Sequence, residues 1–181
     1  MNVAVYCASS AEIGAKYFDT AHRLGEIAAE KGLTIVNGAG STGLMAAVAD
    51  ATLAHGGKVI GVIPKFMVDN GWQHTGLSEL IETDDMHSRQ KKMADMTEAA
   101  IVLPGGIGTL AEMSEIICWT QLAIYRKPIV ILNTDGYWND LLRYFEKAHR
   151  ENFMRRDNAI VWDVADTPEE AVDIILNRQE H

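Results

Sequence analysis

The chain has 181 residues, 48% hydrophobic and 23% charged, a balance that can bury a sizeable core and excludes a disordered chain. Sixteen Lys and Arg against 25 Asp and Glu give a formal charge of −9, so the electrostatic footprint of a general nucleic-acid or anionic-membrane binder is missing. Cys7 and Cys118 are the only cysteines, too few for a disulfide framework, and read as free thiols of a reducing compartment.

Met1-Asn2-Val3 opens straight into an apolar run without a basic leader, and no apolar stretch approaches the roughly 18 residues that span a bilayer. A cytoplasmic protein is expected. Short β-branched runs then alternate with amphipathic segments. Val3–Cys7 is expected as a strand, followed by a helix over Ala11–Glu30 with Ala21, Leu24, Ile27 and Ala28 on one face. Leu33–Val36 is a strand, Thr42–Ala54 a helix stopped by Gly56-Gly57, and Lys58–Ile63 a strand ended by Pro64. Phe66–Leu77 reads as a long irregular loop. Leu80–Thr83 is a weak strand, Met86–Glu98 a helix, Ala100–Leu103 a strand and Thr109–Tyr125 a helix. Ile129–Leu132 (strand), Trp138–Glu151 (helix) and Ala159–Trp162 (strand) follow. Thr167-Pro168-Glu169-Glu170 opens the last helix, with Thr at the N-cap, Pro at the first helical position and Glu three residues after the cap. Seven mostly apolar strands alternating with helices imply an α/β class fold: one doubly wound parallel sheet covered on both faces, as a single domain over residues 1–181. Such sheets bind ligands beyond the carboxyl ends of their strands, near the reversal of strand order. That points to the loops at Cys7–Ser10, Asn37–Gly43, Asp84–Arg89 and Pro104–Thr109.

Gly38-Ala39-Gly40-Ser41-Thr42-Gly43 is a literal G-x-G-x-x-G. It follows the second strand rather than the first, and the next strand ends in Pro64-Lys65 with no acid to hold a ribose hydroxyl. The plainer reading is a tight turn whose glycines let helix and strand pack closely. Leu103-Pro104-Gly105-Gly106-Ile107-Gly108-Thr109-Leu110-Ala111-Glu112 carries more. Three glycines in four residues bring backbone amides close to a ligand, and the following helix aims its N-terminus at the same spot, so a phosphate is favoured. Thr109 offers a hydroxyl. Thr109 to Glu112 is also a capping-box pattern, in which both side chains only satisfy the helix end. Glu115 shares a face with Glu112, either as part of a solvated acidic turn or as a carboxylate beside a sugar phosphate. Arg89 is placed to clamp a phosphate or ribose and to pair with Glu112, or else to sit exposed at a basic helix start. His87 reads as a cap or packing residue, and the six histidines show no metal-ligand spacing.

Pro104-Gly105-Gly106-Ile107-Gly108-Thr109-Leu110-Ala111-Glu112 resembles the P-G-G-x-G-T-x-x-E signature of the Lonely Guy family, the cytokinin riboside 5′-monophosphate phosphoribohydrolases. Met86-His87-Ser88-Arg89 matches that family's M-H-x-R element. Cys7-Ala8-Ser9-Ser10, Gly40-Ser41-Thr42-Gly43-Leu44-Met45, Gly61-Val62-Ile63-Pro64 and Trp119-Thr120-Gln121-Leu122 with Lys127-Pro128 are similar to its other landmarks in the same order. The resemblance implies a Rossmann-like fold, a homodimer and no organic cofactor, and the histidine spacing gives no reason to expect a metal. The implied reaction is hydrolysis of the N-glycosidic bond of a nucleoside 5′-monophosphate, giving adenine or an N6-modified adenine and ribose 5-phosphate. Arg89 and Glu112 would be catalytic. Ser9, Gly40, Ser41, Met86, Gly105, Gly106, Ile107, Gly108, Thr109 and Glu115 would hold the phosphate, ribose or base. The family often carries a lysine decarboxylase label, which would demand pyridoxal phosphate chemistry.

The chain departs from the family pattern at Gln90, where Lys is common, and at Ala111, where Glu often precedes Glu112. It also reads Gly38-Ala39-Gly40 for three glycines and Asp69-Asn70-Gly71 where many members carry an acid after Pro64. The alternative functions are a module that holds AMP-like nucleotides without hydrolysing them and, on Gly38–Gly43 alone, a dinucleotide-dependent oxidoreductase.

Overall fold

The computed structural model describes residues 1–154 and 160–178. Its seven strands are β1 (Asn2–Tyr6), β2 (Thr34–Asn37), β3 (Lys58–Pro64), β4 (Glu79–Thr83), β5 (Ala99–Val102), β6 (Ile129–Leu132) and β7 (Asp163–Ala165). They form one sheet in the order β4-β3-β2-β1-β5-β6-β7, every neighbouring pair parallel. The chain winds outward from β1 to β4, then crosses back to place β5 on the other side of β1. The reversal therefore lies between β1 and β5, and their carboxyl ends frame a crevice.

The helices are α1 (Ala15–Glu30), α2 (Gly43–Ala54), α3 (Lys65–Asp69), α4 (Met86–Met96), α5 (Ile107–Gln121), α6 (Asn139–Arg150) and α7 (Pro168–Asn177). Alternation along β1 shows how the layers form, since successive side chains leave a strand on opposite faces. Val3, Val5 and Cys7 pack on one face with Leu24 of α1, Leu44 and Val48 of α2 and Val172 of α7. Ala4 and Tyr6 pack on the other with Met93 of α4, Met113 and Ile116 of α5 and Trp138 before α6. The expected doubly wound sheet is the observed one.

The remaining differences have local causes. Phe66–Leu77 is not wholly irregular: α3 occupies its start, set off by Pro64 at the N-cap, and Lys65 pairs with Asp69 one turn on at 3.2 Å. The first helix begins at Ala15 rather than Ala11, because residues 11–13 form bends and Gly14 supplies the extended N-cap. The helix expected to Tyr125 ends at Gln121, and Ala123 turns the chain away with φ of 61°. The last strand was expected at Ala159–Trp162. Ala159 lies outside the described residues, Ile160–Trp162 form no strand, and pairing with β6 starts at Asp163 against Val130. Trp162 is apolar for a different reason: its ring packs on Phe145 of α6, centroids 5.0 Å apart. The opening of α7 is as the sequence implies, with the Thr167 hydroxyl accepting from the Glu170 amide at 3.3 Å.

Candidate active site

At the crevice, Ala8 donates its amide to Pro104 O at 3.2 Å and Leu103 donates to Tyr6 O at 2.9 Å, which ties the ends of β1 and β5 together. The loop after β1 is in turn fastened to the start of α2. Leu44 N bonds to Ala8 O at 2.9 Å, and the Thr42 hydroxyl donates to Ser9 O at 2.7 Å. Gly43 makes this approach feasible: with φ of +66°, any β-carbon there would lie 2.5 Å from the Ser9 carbonyl carbon. Gly43 thus serves close backbone packing, as the plainer reading of that motif holds, whereas Gly38 and Gly40 face the Arg89 and Met45 side chains.

Two adjoining cavities open here. The first, about 350 Å³, is lined by the loop after β1, by Gly38, Met45, Met67, Met86 and Arg89, and by Gly106–Thr109 and Glu112. The second, about 390 Å³, shares Ser9, Gly38, Met45, Met67 and Arg89 and adds Gly40, Ser41, Thr42, Ile63 and Trp72. Of the expected site residues, Ser9, Met86, Arg89, Gly106, Ile107, Gly108, Thr109 and Glu112 meet in the first cavity, and Gly40 and Ser41 in the second. Gly105 and Glu115 line neither. Gly105 is buried behind the loop, its carbonyl accepting from the Tyr137 hydroxyl at 2.8 Å, and a β-carbon there would meet Thr109 Cβ at 2.5 Å. Glu115 is half-buried, and burial raises its carboxyl, partly offset by His87.

Arg89 and Glu112 form the centre. Asp85 caps α4 by accepting from the Ser88 amide and hydroxyl, both at 2.7 Å, and these bonds hold its carboxyl below the usual range. That cap, which the sequence reading did not single out, starts the helix one turn before Arg89 and turns it inward; the cap is not His87. Arg89 and Glu112 are 7% exposed each, and Arg89 Nη2 donates to Glu112 Oε1 in a buried ion pair. Nη1 contacts Met86 Sδ at 3.8 Å. Burial pushes the Glu112 carboxyl above its ordinary range, the Arg89 charge and hydrogen bond draw it down, and Glu115 adds to the rise. Burial also raises the neighbouring Tyr6 and Cys7 groups, with the Glu112 charge adding to it.

The capping-box alternative fails on the position of the helix start. α5 begins at Ile107 with Gly106 as its N-cap, which puts Thr109 inside the first turn and Glu112 on its buried face. Gly106, Ile107 and Gly108, all exposed residues, put their amides at the positive end of a 15-residue helix, and they line the same cavity as Arg89. A desolvated carboxylate, a guanidinium and an anion-accepting helix end therefore converge on one cavity. Gln90 and Ala111 line neither cavity. Of the lining residues that the sequence reading did not assign to the site, Val5, Met67 and Trp72 lie outside every motif it singled out, whereas Cys7, Ala8, Ser10, Gly38, Thr42, Met45 and Ile63 lie within those motifs. Among the described residues no group of three or more His, Cys, Asp or Glu side chains is placed to hold a metal ion.

The family described as "Possible lysine decarboxylase" matches residues 45–175. A probable cytokinin riboside 5′-monophosphate phosphoribohydrolase of Oryza sativa subsp. japonica (LOGL2) is 40% identical over 171 residues, covering 94% of this chain and 70% of that one. The cytokinin riboside 5′-monophosphate phosphoribohydrolase LOG7 of Arabidopsis thaliana is 42% identical over 153 residues, 84% of this chain and 70% of that one. This chain belongs to the Lonely Guy family. Among solved structures, the structural-genomics target TM1055 has a TM-score of 0.75 at 26% identity, covering 97% of this chain and 98% of that one. The molybdenum cofactor binding protein of Rippkaea orientalis also reaches 0.75, at 20% identity and covering 98% and 96%; at that identity the likeness concerns the fold alone. The decarboxylase description implies pyridoxal phosphate, which is carried as a Schiff base on lysine. None of the residues lining the two cavities is a lysine. The residues lining these two cavities of this Lonely Guy chain do not fit that cofactor.

Proposed function

We propose that the protein hydrolyses the N-glycosidic bond of a nucleoside 5′-monophosphate, AMP or an N6-substituted AMP, as an AMP nucleosidase-like phosphoribohydrolase. The observation that carries this reading is the buried Arg89–Glu112 pair in a cavity that also receives the N-terminus of α5. The relatives named cytokinin riboside 5′-monophosphate phosphoribohydrolases support it.

The chemistry follows from charge. As the bond from C1′ to the base lengthens, its electron pair leaves with the base and positive charge builds on the ribose ring; water adds at C1′ and the base takes up a proton. A carboxylate beside C1′ stabilises that charge or takes the proton from the attacking water. Glu112 fills this role, and its dry setting strengthens the interaction. The amides of Gly106, Ile107 and Gly108 and the Arg89 guanidinium receive the 5′-phosphate and ribose, with Ser9, Gly40, Ser41, Met86 and Thr109 along the walls. Gly105 and Glu115 act from behind, on the loop and on the charge near Glu112. Holding the phosphate fixes the sugar and uses remote binding energy at the reacting carbon. The expected result is adenine released from AMP and not from adenosine, followed by chromatography. Equal release from both substrates rejects phosphate anchoring. No release, with AMP still raising the melting temperature, favours a non-hydrolysing binding module.

Two further features belong to this proposal. The unpaired thiols, Cys7 buried and Cys118 exposed, suit the reducing cytoplasm, and no helix among the described residues is long and apolar enough to cross a membrane. The protein is also proposed to pair with a second copy. A groove of about 210 Å³ lies between α5 and α6, lined by Ile117, Cys118, Tyr144, Phe145 and Phe153. Tyr144 and Phe153 are exposed, with Leu122 and Ile124 exposed just past α5. Sedimentation at micromolar concentration is expected to give twice the 19.9 kDa chain mass; a mass of one chain rejects the dimer.

A further inference from the structure

Gly38 follows β2 directly and has no backbone need to be glycine, since its φ lies outside the left-handed region that Gly43, Gly56 and others occupy. Its hydrogen side chain faces the active centre. A β-carbon at position 38 would overlap Arg89 Nη2, lie 3.1 Å from Arg89 Cζ and sit 3.2 Å from Met45 Sδ. Nη2 is the nitrogen that donates to Glu112 Oε1.

The loop carrying Gly38 cannot recoil from such a contact. The buried Asn37 carboxamide accepts from the Ala39 amide at 2.9 Å and donates to Met45 O at 3.2 Å. Ala39 O in turn accepts from the His74 amide at 2.8 Å. Backbone is therefore fixed on one side of the guanidinium and Glu112 on the other.

We infer that Gly38 is a positioning residue for the proposed hydrolysis: its missing side chain is the space in which the Arg89 guanidinium lies to hold Glu112. This rests on the function proposed above. Gly38→Ala is expected to lower kcat for AMP about 10²-fold, the scale of a misplacement of roughly 1 Å at a reacting group. The acid limb of the kcat–pH profile is expected to move to higher pH. The groups acting on Glu112 are Arg89 from α4 and Glu115 from its own helix, while Tyr6 at the end of β1 and Cys7 just after it face Glu112 as neutral groups whose own ionisation its charge opposes. Arg89 alone lowers its pKa, so displacing Arg89 leaves the carboxyl protonated over a wider range. A glycine needed only for packing would lower stability without moving that limb.

The stability arm is a double-mutant cycle. The drop in melting temperature caused by Gly38→Ala is expected to vanish when Arg89→Ala is already present, because the new methyl then occupies the space the guanidinium has left. If Gly38→Ala alone does not fold, recovery of the fold in the double variant supports the inference and failure to recover overturns it. Wild-type kcat with an unmoved acid limb in Gly38→Ala also overturns it, as does an equal melting-temperature loss in both backgrounds. Absence of adenine release by the wild type would count against the proposed function instead, and the stability cycle would still decide the place of Gly38.

Discussion

Glu112→Gln is expected to reduce adenine release from AMP by about 10² to 10⁴-fold while AMP still raises the melting temperature. Glutamine has nearly the same shape and its carbonyl can accept the Arg89 Nη2 hydrogen bond, so the cavity and its anion-binding end are retained. It carries no charge to set against the growing positive charge on the ribose, and it cannot take a proton from water. Turnover within tenfold of wild type would reduce Glu112 to a partner for Arg89. The same substitution isolates a pH effect. In the folded protein the Glu112 carboxyl is raised above its ordinary value of 4.5, burial outweighing Arg89. The folded state thus binds a proton more tightly than the unfolded chain, and the stability that this contributes is present at low pH and lost as pH rises through the raised value. The melting temperature of wild type relative to Glu112→Gln should therefore improve as pH falls from neutrality toward 4.5. A difference that moves the other way would mean that Arg89 wins over burial.

The sequence exposes the sheet almost completely because parallel strands buried on both faces read as unbroken apolar runs, as in Ala99–Val102 and Ile129–Leu132. The half-exposed β7 escapes this signal: Val164 points outward at the sheet edge, while Trp162, more apolar, belongs to a contact with α6. The two catalytic candidates were legible for a similar reason, each lying in a dense motif at the carboxyl end of a strand. What was not legible was how the motifs interlock. The pattern from Thr109 to Glu112 fits both a cap and a site, and only the start of α5 at Ile107 decides between them. Gly38 reads as part of a tight turn, and only the position of Arg89 shows what its missing side chain accommodates. Met45, Met67 and Trp72 come from separate segments whose meeting depends on the bonds from Ser41 to Trp72 and from His74 to Ala39. Such contacts depend on chain geometry that no local spacing encodes.

Arg89→Ala should be the most disruptive single change to the pair, and its cost should depend on pH. Removing one partner of a buried ion pair leaves the other charge without compensation, typically about 3–5 kcal/mol. Here the remaining charge belongs to Glu112, which has an escape: it can take up a proton. Both influences that lower the Glu112 pKa, charge and hydrogen bond, come from Arg89, while burial and Glu115 raise it. Without the guanidinium the folded-state pKa climbs further above the unfolded value. The variant therefore loses stability as pH rises through that higher value, whereas toward lower pH Glu112 takes up its proton and only the vacated space is felt. Urea denaturation of wild type and Arg89→Ala is expected to give a gap that is widest at pH 8 and narrows toward pH 5. Turnover of AMP should be lost, since Glu112 holds its proton to higher pH and the anion contact is gone. Arg89→Lys separates the two roles: an ammonium keeps a positive charge near Glu112, so the pH dependence of stability should stay close to that of wild type. A single point charge cannot reproduce the planar fork that faces Glu112 and the cavity together, so kcat/KM should remain low. A stability gap for Arg89→Ala that is flat between pH 5 and 8 would mean that Glu112 is neutral in the resting protein, and the carboxylate role would then have to begin with substrate binding.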